Sequence, residues 1–247
     1  MSMATKVGTA GWTIPRDVAG VFPDKGSSLE RYSACLPVVE INSSFYRSHR
    51  ASTWERWRHS VPASFRFSVK VPKAITHEAK LCNCSELLGT FLGETKVLGD
   101  KLAVLLVQLP PKLSLDVEHA ELFFKELKAR TRVKIACEPR NASWFTAEAD
   151  ALLREHEVAR VAADPAICEL GADPGGWRGL NYWRLHGSPV LYRSPYAARI
   201  PKIAERIANL AEKTTDAWVI FDNTASSAAM SDALALIETL HGSPSKS

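Results

Sequence analysis

The stretch Val38-Val39-Glu40-Ile41-Asn42-Ser43-Ser44-Phe45-Tyr46 decides how the rest of the chain is read. It begins as an apolar run of strand type and ends in polar and aromatic residues. Strand side chains alternate between two faces, so Val39 and Ile41 point one way and Glu40 and Asn42 the other. A carboxylate and an amide at the last inward positions of a strand are costly to bury without partners. Those partners must come from other strands that end in the same way. The expectation is a closed barrel with its site at the carboxyl ends of the strands.

Working outward, seven further runs have strand character: Lys6–Ala10, Phe65–Val71, Leu102–Leu109, Val133–Glu138, Ala159–Asp164, Tyr182–His186 and Ala217–Asp222. Helical stretches separate most of them. They run over Ser28–Leu36, from a cap at Ser52 through Trp54 and Trp57, over Ser85–Leu98, over Val117–Arg130 behind Asp116, and over Ala147–His156 behind Thr146. Two more cover Ala197–Lys213 and, behind Asn223-Thr224, Ala225–Leu240. Such alternation calls for parallel strands joined by crossover helices. A length of 247 residues suits a (β/α)8 barrel. The segment Pro165–Gly179 is rich in glycine and poor in helix signals, which makes the sixth crossover irregular. A doubly wound open sheet is the alternative, but no G-x-G-x-x-G turn follows the first strand. With no internal repeat and no linker, residues 1–247 read as one α/β domain, a TIM-type barrel with a core over about 6–240.

Composition bounds the function only loosely. Hydrophobic residues make up 46% and charged residues 23%, ordinary for a globular chain with a sizeable core. The net charge of +4 permits contact with phosphates or nucleic acid without requiring it. No apolar run is long enough to span a bilayer, so no membrane partner is expected. Met1–Lys6 lacks the apolar core of a signal peptide, and a cytoplasmic location is expected. The five cysteines are scattered; only Cys82 and Cys84 are close, and no second pair completes a zinc pattern. They read as free thiols in a reducing compartment.

The strand ends supply Glu40 and Asn42, Lys70, Gln108, Glu138 and Arg140, Asp164, Arg184 and His186, and Asp222 and Asn223. Lys70, Arg140 and Arg184 are cations, with His186 a fourth candidate; Glu40, Glu138, Asp164 and Asp222 are anions. In a low-dielectric mouth these charges must pair with one another or with a ligand. The planar fork of arginine suits phosphate or carboxylate, which makes Arg140 and Arg184 the first anion-binding candidates. Glu40, Glu138, His186 and Asp222 are the candidates for proton transfer, because neighbouring carboxylates push their proton affinities apart. The alternative is a ring of salt bridges that merely plugs a barrel. Arg66 and Lys134, nearer the strand starts, read as structural or solvent-reaching. Trp54, Trp57, Trp144 and Trp183 read as packing residues, whereas Trp12, just past a strand end, is a candidate for substrate contact. The histidines do not converge with carboxylates in a recognisable ligand pattern, so no metal and no cofactor is expected. No P-loop and no G-x-S-x-G is present.

Several of these stretches, taken in order, resemble the family known as domain of unknown function 72, the YecE-like proteins. They are Gly8-Thr9-Ala10-Gly11-Trp12, Val39 to Tyr46, Phe67-Ser68-Val69-Lys70 with Ile75-Thr76-His77, and Gln108-Leu109-Pro110-Pro111. Then come Glu138-Pro139-Arg140 with Ser143-Trp144-Phe145, Tyr182-Trp183-Arg184-Leu185-His186-Gly187, and Phe221-Asp222-Asn223-Thr224. The resemblance implies a TIM-type barrel and no established reaction. It also implies a pocket made of Glu40, Asn42, Tyr46, Lys70, His77, Glu138, Arg140, Arg184, His186 and Asn223. The chain departs from the family pattern at Asn141, where histidine is expected, and at Asp222, where asparagine is common; either change alters local charge. The fold looks distantly similar to metal-dependent barrel endonucleases acting at abasic sites, although their histidine ligands are not evident.

Two functional classes and a non-functional one follow. The first is a small barrel that binds a phosphorylated or other anionic small substrate and acts by carboxylate and histidine acid–base chemistry, including hydrolysis. The second is a nucleic-acid-binding protein or phosphodiester hydrolase, motivated by the basic balance and by Trp12, Tyr46, Arg47 and Arg50 around the mouth. The third is a non-catalytic scaffold. Neither the reaction nor the oligomeric state is legible.

Overall fold

In the computed structural model, which describes residues 5–211 and 216–242, the strand-like runs gather into one sheet surrounded by helices. The first strand, β1 (Lys6–Ala10), lies between β2 (Val38–Ile41) and the last strand, and β2, β3 (Arg66–Lys70), β4 (Leu102–Gln108) and β5 (Lys134–Glu138) follow in order, all parallel. Gly8 is required where β1 passes β2, because a Cβ there would stand 2.2 Å from the Val38 carbonyl oxygen. The sixth run is interrupted at Val161. Its first half, β6 (Val158–Arg160), pairs with β5, and its second half, β7 (Ala162–Asp164), pairs with the seventh strand-like run, at Trp183–Leu185. This single broken run brings the two ends of the sheet together into a nearly closed barrel. A two-residue strand, β8 (Gly175–Gly176), runs antiparallel to β6, and β9 (Asn181–Leu185) and β10 (Ala217–Phe221) complete the ten-stranded sheet.

Helices cover the outside: α1 (Ser28–Ser33), the one-turn α2 (Ser43–Tyr46), α3 (Ala51–His59), α4 (Ser85–Thr95), α5 (Val117–Arg130), α6 (Ala147–Glu155), α7 (Ile200–Ala211) and α8 (Ala228–Gly242). Three of them start on a side-chain cap. Ser27 and Glu30 form a reciprocal cap on α1, Asp116 accepts from the His119 amide, and Thr146 accepts from the Ala149 amide. Two expected caps are corrected. The helix carrying Trp54 begins at Ala51 behind Arg50, so Ser52 lies inside its first turn. Asn223 does not cap the last helix: Thr224–Ser226 is a separate 3-10 turn, Ser227 is left-handed at φ 65°, and α8 starts at Ala228. The helix read over Ala197–Lys213 begins with a 3-10 turn at Ala197–Arg199, and its expected end at Lys213 lies outside the described residues, as do Met1–Ala4 and the tail beyond Gly242. As expected, Pro165–Gly179 holds no α-helix; a short turn at Glu169–Ala172 stands in its place.

The strand phases divide the barrel in two. Outward-facing residues such as Ile41, Val69, Ile135 and Val219 join Trp54, Phe123, Phe124 and Trp144 in the layer between sheet and helices. Inward-facing Val38, Val104, Leu106, Ala136, Trp218 and Ile220 fill the barrel's lower half with apolar bulk. Below them Asp216 pairs with Lys6 and Lys134, so Lys134 is structural as expected. Above them, apart from Ala10 beside Glu40, the inward positions that end β2, β3, β4, β5, β9 and β10 are polar. The apolar floor therefore fixes the depth at which the charged cluster sits.

Candidate functional site at the carboxyl ends of the strands

Arg184 on β9 is the centre of the cluster and has no exposed surface. Its Nε and Nη2 donate to the two carboxylate oxygens of Glu40 at 3.0 and 2.7 Å. Nη1 donates to Glu138 at 2.6 Å and Nη2 also to Asp222 at 2.9 Å. Glu40, Glu138 and Asp222 come from β2, β5 and the end of β10, so one guanidinium ties three well-separated strands together. Tyr182, two positions before Arg184 on the same face, donates its hydroxyl to Glu40 at 2.9 Å and lies 2.9 Å from the Ser68 hydroxyl.

His186 bridges the other side. Its Nδ1 is 3.0 Å from Asp222 and its Nε2 2.7 Å from Glu138. The Nη2 of Arg140 sits 2.7 Å from the same Glu138 oxygen and 2.9 Å from His186 Nε2. Burial alone would push the Glu138 carboxyl up, yet Arg184, Arg140 and His186 hold it well below the usual carboxylate range. Burial likewise opposes ionisation of Asp222, and Arg184 and His186 hold it below its ordinary value. Glu138 and Asp222 are thus anions joined through an imidazole, an arrangement that can relay a proton.

Lys70, at the end of β3, is the cation with no such partner. It is 7% exposed, and its Nζ stands 4.0 Å from the centre of the Phe45 ring. Burial, then the Arg184 charge, lowers its proton affinity to about pH 8, against the opposing pull of Glu40, Glu138 and Asp222. His77 also meets Phe45 edge-on, 5.0 Å between ring centres, and burial and Lys70 hold it below the ordinary histidine value. Two further polar atoms at the mouth are buried without a partner: the Asn42 Oδ1, whose amide nitrogen reaches Asp222 at 3.4 Å, and the Arg140 Nε.

Glu40, Asn42, Lys70, Glu138, Arg140, Arg184, His186 and Asp222 therefore meet in one cluster. His77 stays beside Phe45, its Nδ1 2.9 Å from the Thr76 hydroxyl, and three other candidates do not join the cluster either. Asn223 turns away, donating to the Ser194 carbonyl at 3.0 Å and to Asp232 at 2.7 Å, and so pins the segment after β9 to α8. Tyr46 is 72% exposed on α2 and packs edge-on to Phe45. Trp12 leans on Trp57, ring centres 5.2 Å apart, in a groove beside the mouth. Asp164 is corrected as a mouth anion. It occupies the outward phase of β7, accepts from Tyr196 at 3.0 Å and pairs with Arg199 on the barrel's flank. Without it the charges balance: Lys70, Arg140 and Arg184 against Glu40, Glu138 and Asp222.

Sequence reasoning passed over Tyr182, Ser68, Phe45 and Tyr192. The first two share the inward phase of Arg184 and Lys70, which was the available signal. Tyr192 arrives from the segment after Gly187, whose φ of 93° reverses the chain, and rests edge-on against His186 at 5.6 Å. No local pattern announces that return. Among the described residues no group of three or more His, Cys, Asp or Glu side chains is arranged to hold a metal ion.

A family model described as "Protein of unknown function DUF72" matches residues 6–247. The UPF0759 protein YunF of Bacillus subtilis is 30% identical over 149 residues, 57% of this chain and 52% of that protein. The UPF0759 protein YecE of Escherichia coli K12 is 31% identical over 105 residues, 42% of this chain and 37% of the relative. The chain thus spans about half the length of the first of these relatives and less of the second. A DUF72 family protein of Enterococcus faecalis has a TM-score of 0.80 at 21% identity, covering 98% of this chain and 97% of that one. One from Thermotoga maritima scores 0.78 at 22%, covering 96% and 99%. D-psicose 3-epimerase of Clostridium cellulolyticum, with a TM-score of 0.57 at 11% identity and coverage of 96% and 98%, shares the barrel fold.

Proposed function

The chain belongs to the DUF72 family of unknown function, and from that premise we propose that its barrel mouth binds a phosphorylated or other anionic small substrate and moves a proton on it. The observation that carries this reading is Lys70. A lysine this buried, with no carboxylate in hydrogen-bonding range, is an incomplete arrangement: its ammonium has donors to offer and a lowered proton affinity. An anionic ligand supplies what it lacks. Arg140 Nε and Asn42 Oδ1, buried without partners, add a second donor and an acceptor for the ligand's polar groups.

In this reading Arg184 binds no ligand itself. Its donors are taken by three carboxylates, and its role is to hold Glu40, Glu138 and Asp222 ionised and fixed. Asp222, His186 and Glu138 then serve as the proton path, with Asp222 nearest the opening, and Glu40 orients Arg184. The five free cysteines fit a reducing compartment, and we place the activity in the cytoplasm.

The test is a thermal-shift screen of the protein with inorganic phosphate, sugar phosphates and small carboxylates, repeated on Lys70→Met. A ligand at about 100 times its Kd stabilises by roughly 2.7 kcal/mol, a shift of several degrees. Stabilisation of the wild type that disappears in Lys70→Met supports the proposal. No response to any anion, or an equal response in the variant, sinks it. A second reading, a non-catalytic salt-bridged plug, is favoured by the complete burial and saturation of Arg184; it predicts the flat screen.

A further inference from the structure

Beside the mouth, outside the charged cluster, a groove of about 570 Å³ is lined by Trp12, Arg47, His49, Arg50, Arg56 and Trp57, among others. It lies at the same end of the barrel, since Trp12 follows β1 and Ser43, which also lines it, follows Asn42. No carboxylate lines it. Arg47, Arg50 and Arg56 are exposed, and their side chains make no hydrogen bond or ion pair within the described residues.

The groove's wall is aromatic. Trp12 meets Trp57 edge-on at 5.2 Å, and His49 meets Trp57 at 5.0 Å. Both tryptophans are half-buried, so part of each ring is held by neighbours and part faces the groove. A hydrogen bond of 2.9 Å between Ser43 Oγ and His49 Nε2 fixes the histidine ring behind them. The N-terminus of α3 opens here too, and Arg50, its cap residue, offers no side-chain acceptor to the first-turn amides. Partial positive charge at that helix end adds to the three guanidiniums.

Three unpaired arginines spaced along a wall of partly exposed aromatic rings match one ligand chemistry: a flexible chain of phosphates carrying flat bases. Guanidiniums neutralise the phosphates while the rings offer surfaces for stacking. A duplex presents no free base faces, and a lone phosphate uses only the arginines. We propose that this groove binds single-stranded nucleic acid. The proposal goes beyond the mouth and does not require the mouth to be catalytic.

The experiment titrates the full chain with a fluorescein-labelled twelve-nucleotide oligothymidylate. Anisotropy and intrinsic tryptophan quenching are read at several salt concentrations. Arg47→Ala/Arg50→Ala/Arg56→Ala is compared with Lys125→Ala/Arg132→Ala/Arg154→Ala, which removes the same charge from exposed positions on or beside α5 and α6. The proposal expects wild-type binding with tryptophan quenching and a log–log salt slope of about −2, as roughly three neutralised phosphates would give on a single strand. It expects at least a tenfold loss in the groove variant and less than a twofold loss in the other. No binding at low salt overturns it. So do equal losses in both variants, equally tight binding of heparin fragments without quenching, or displacement of the oligonucleotide by an equal phosphate concentration of inorganic phosphate.

Discussion

Arg184 and Glu40, 144 residues apart, face each other through two parallel hydrogen bonds of 3.0 and 2.7 Å, with both side chains withdrawn from water. A pair of this kind is weak evidence for net stability, because desolvation of both ions offsets most of their attraction. Removing one member is a different matter. Arg184→Met would leave Glu40, Glu138 and Asp222 buried around an apolar side chain. The expected loss is about 3–5 kcal/mol, read from the midpoint of chemical denaturation. Glu40→Gln should cost less, because Arg184 keeps Glu138 and Asp222. A loss below about 1 kcal/mol for Arg184→Met would mean that the three carboxylates have other means of neutralisation.

Lys70 makes stability depend on alkaline pH. Its folded proton affinity, about 8, lies below the ordinary lysine value of 10.5, so folding releases a proton between those limits. The folded state binds fewer protons there than the unfolded chain, and stability therefore rises with pH across that window. Below it the buried ammonium costs on the order of 3 kcal/mol, taking about 1.4 kcal/mol per tenfold change in proton affinity. Lys70→Met removes the titration. Its advantage over the wild type should be largest at and below pH 8 and shrink towards pH 10.5. Denaturation midpoints of both proteins at matched pH values check this; a constant difference contradicts it.

Much of the fold was legible because parallel strands with one polar end leave a parity signal. Glu40, Glu138, Arg184 and Asp222 stand in phase with apolar residues that fill the barrel floor, and Lys70 with Ser68, so their convergence followed once the alternation was read. Asp164 was misassigned to the mouth by treating every strand end as inward; Ala162, two residues earlier, packs in the outer layer and marks the phase. The break at Val161 and the approach of Tyr192 to His186 were not legible. Both are set by tertiary closure of the barrel, and no periodicity within those segments encodes it. Pairing inside the cluster was illegible for the same reason. The sequence counts charges but cannot say that one arginine takes three carboxylates and leaves Lys70 without one.

The barrel's opposite end should be separable from its mouth. Asp216 accepts from Lys134 at 3.0 Å and pairs with Lys6, and although burial opposes ionisation those two bonds hold it below its ordinary value. Asp216→Asn should therefore destabilise by about 1.5–3 kcal/mol at neutral pH, the range for charge-assisted hydrogen bonds. The contribution is present above the ordinary aspartate value of 3.8 and is lost as pH falls through the lower folded value. The difference between variant and wild type should accordingly narrow in acid. Anion affinity at the mouth, measured by calorimetry, should not change; a tenfold loss would show that the two ends are mechanically linked.

Arg140 distinguishes a working mouth from a plug. It touches the same Glu138 oxygen as His186, but its side chain is 15% exposed where that of Arg184 is 0%, and its buried Nε has no partner. Glu138 without Arg140 still has Arg184 and His186, so Arg140→Gln should lower stability by less than about 1.5 kcal/mol, one ordinary hydrogen bond. Its effect on an anionic ligand should be larger: losing a charge-assisted bond of roughly 1.5–3 kcal/mol weakens binding about ten- to a hundredfold. The proton affinity of Glu138 should rise as well, since one of the charges holding it down is gone. Calorimetric titration with phosphate, beside a denaturation curve for each protein, separates the two effects. Lost affinity with retained stability assigns Arg140 to ligand binding, whereas lost stability with no ligand to lose assigns it, with Arg184, to a sealed salt-bridged top.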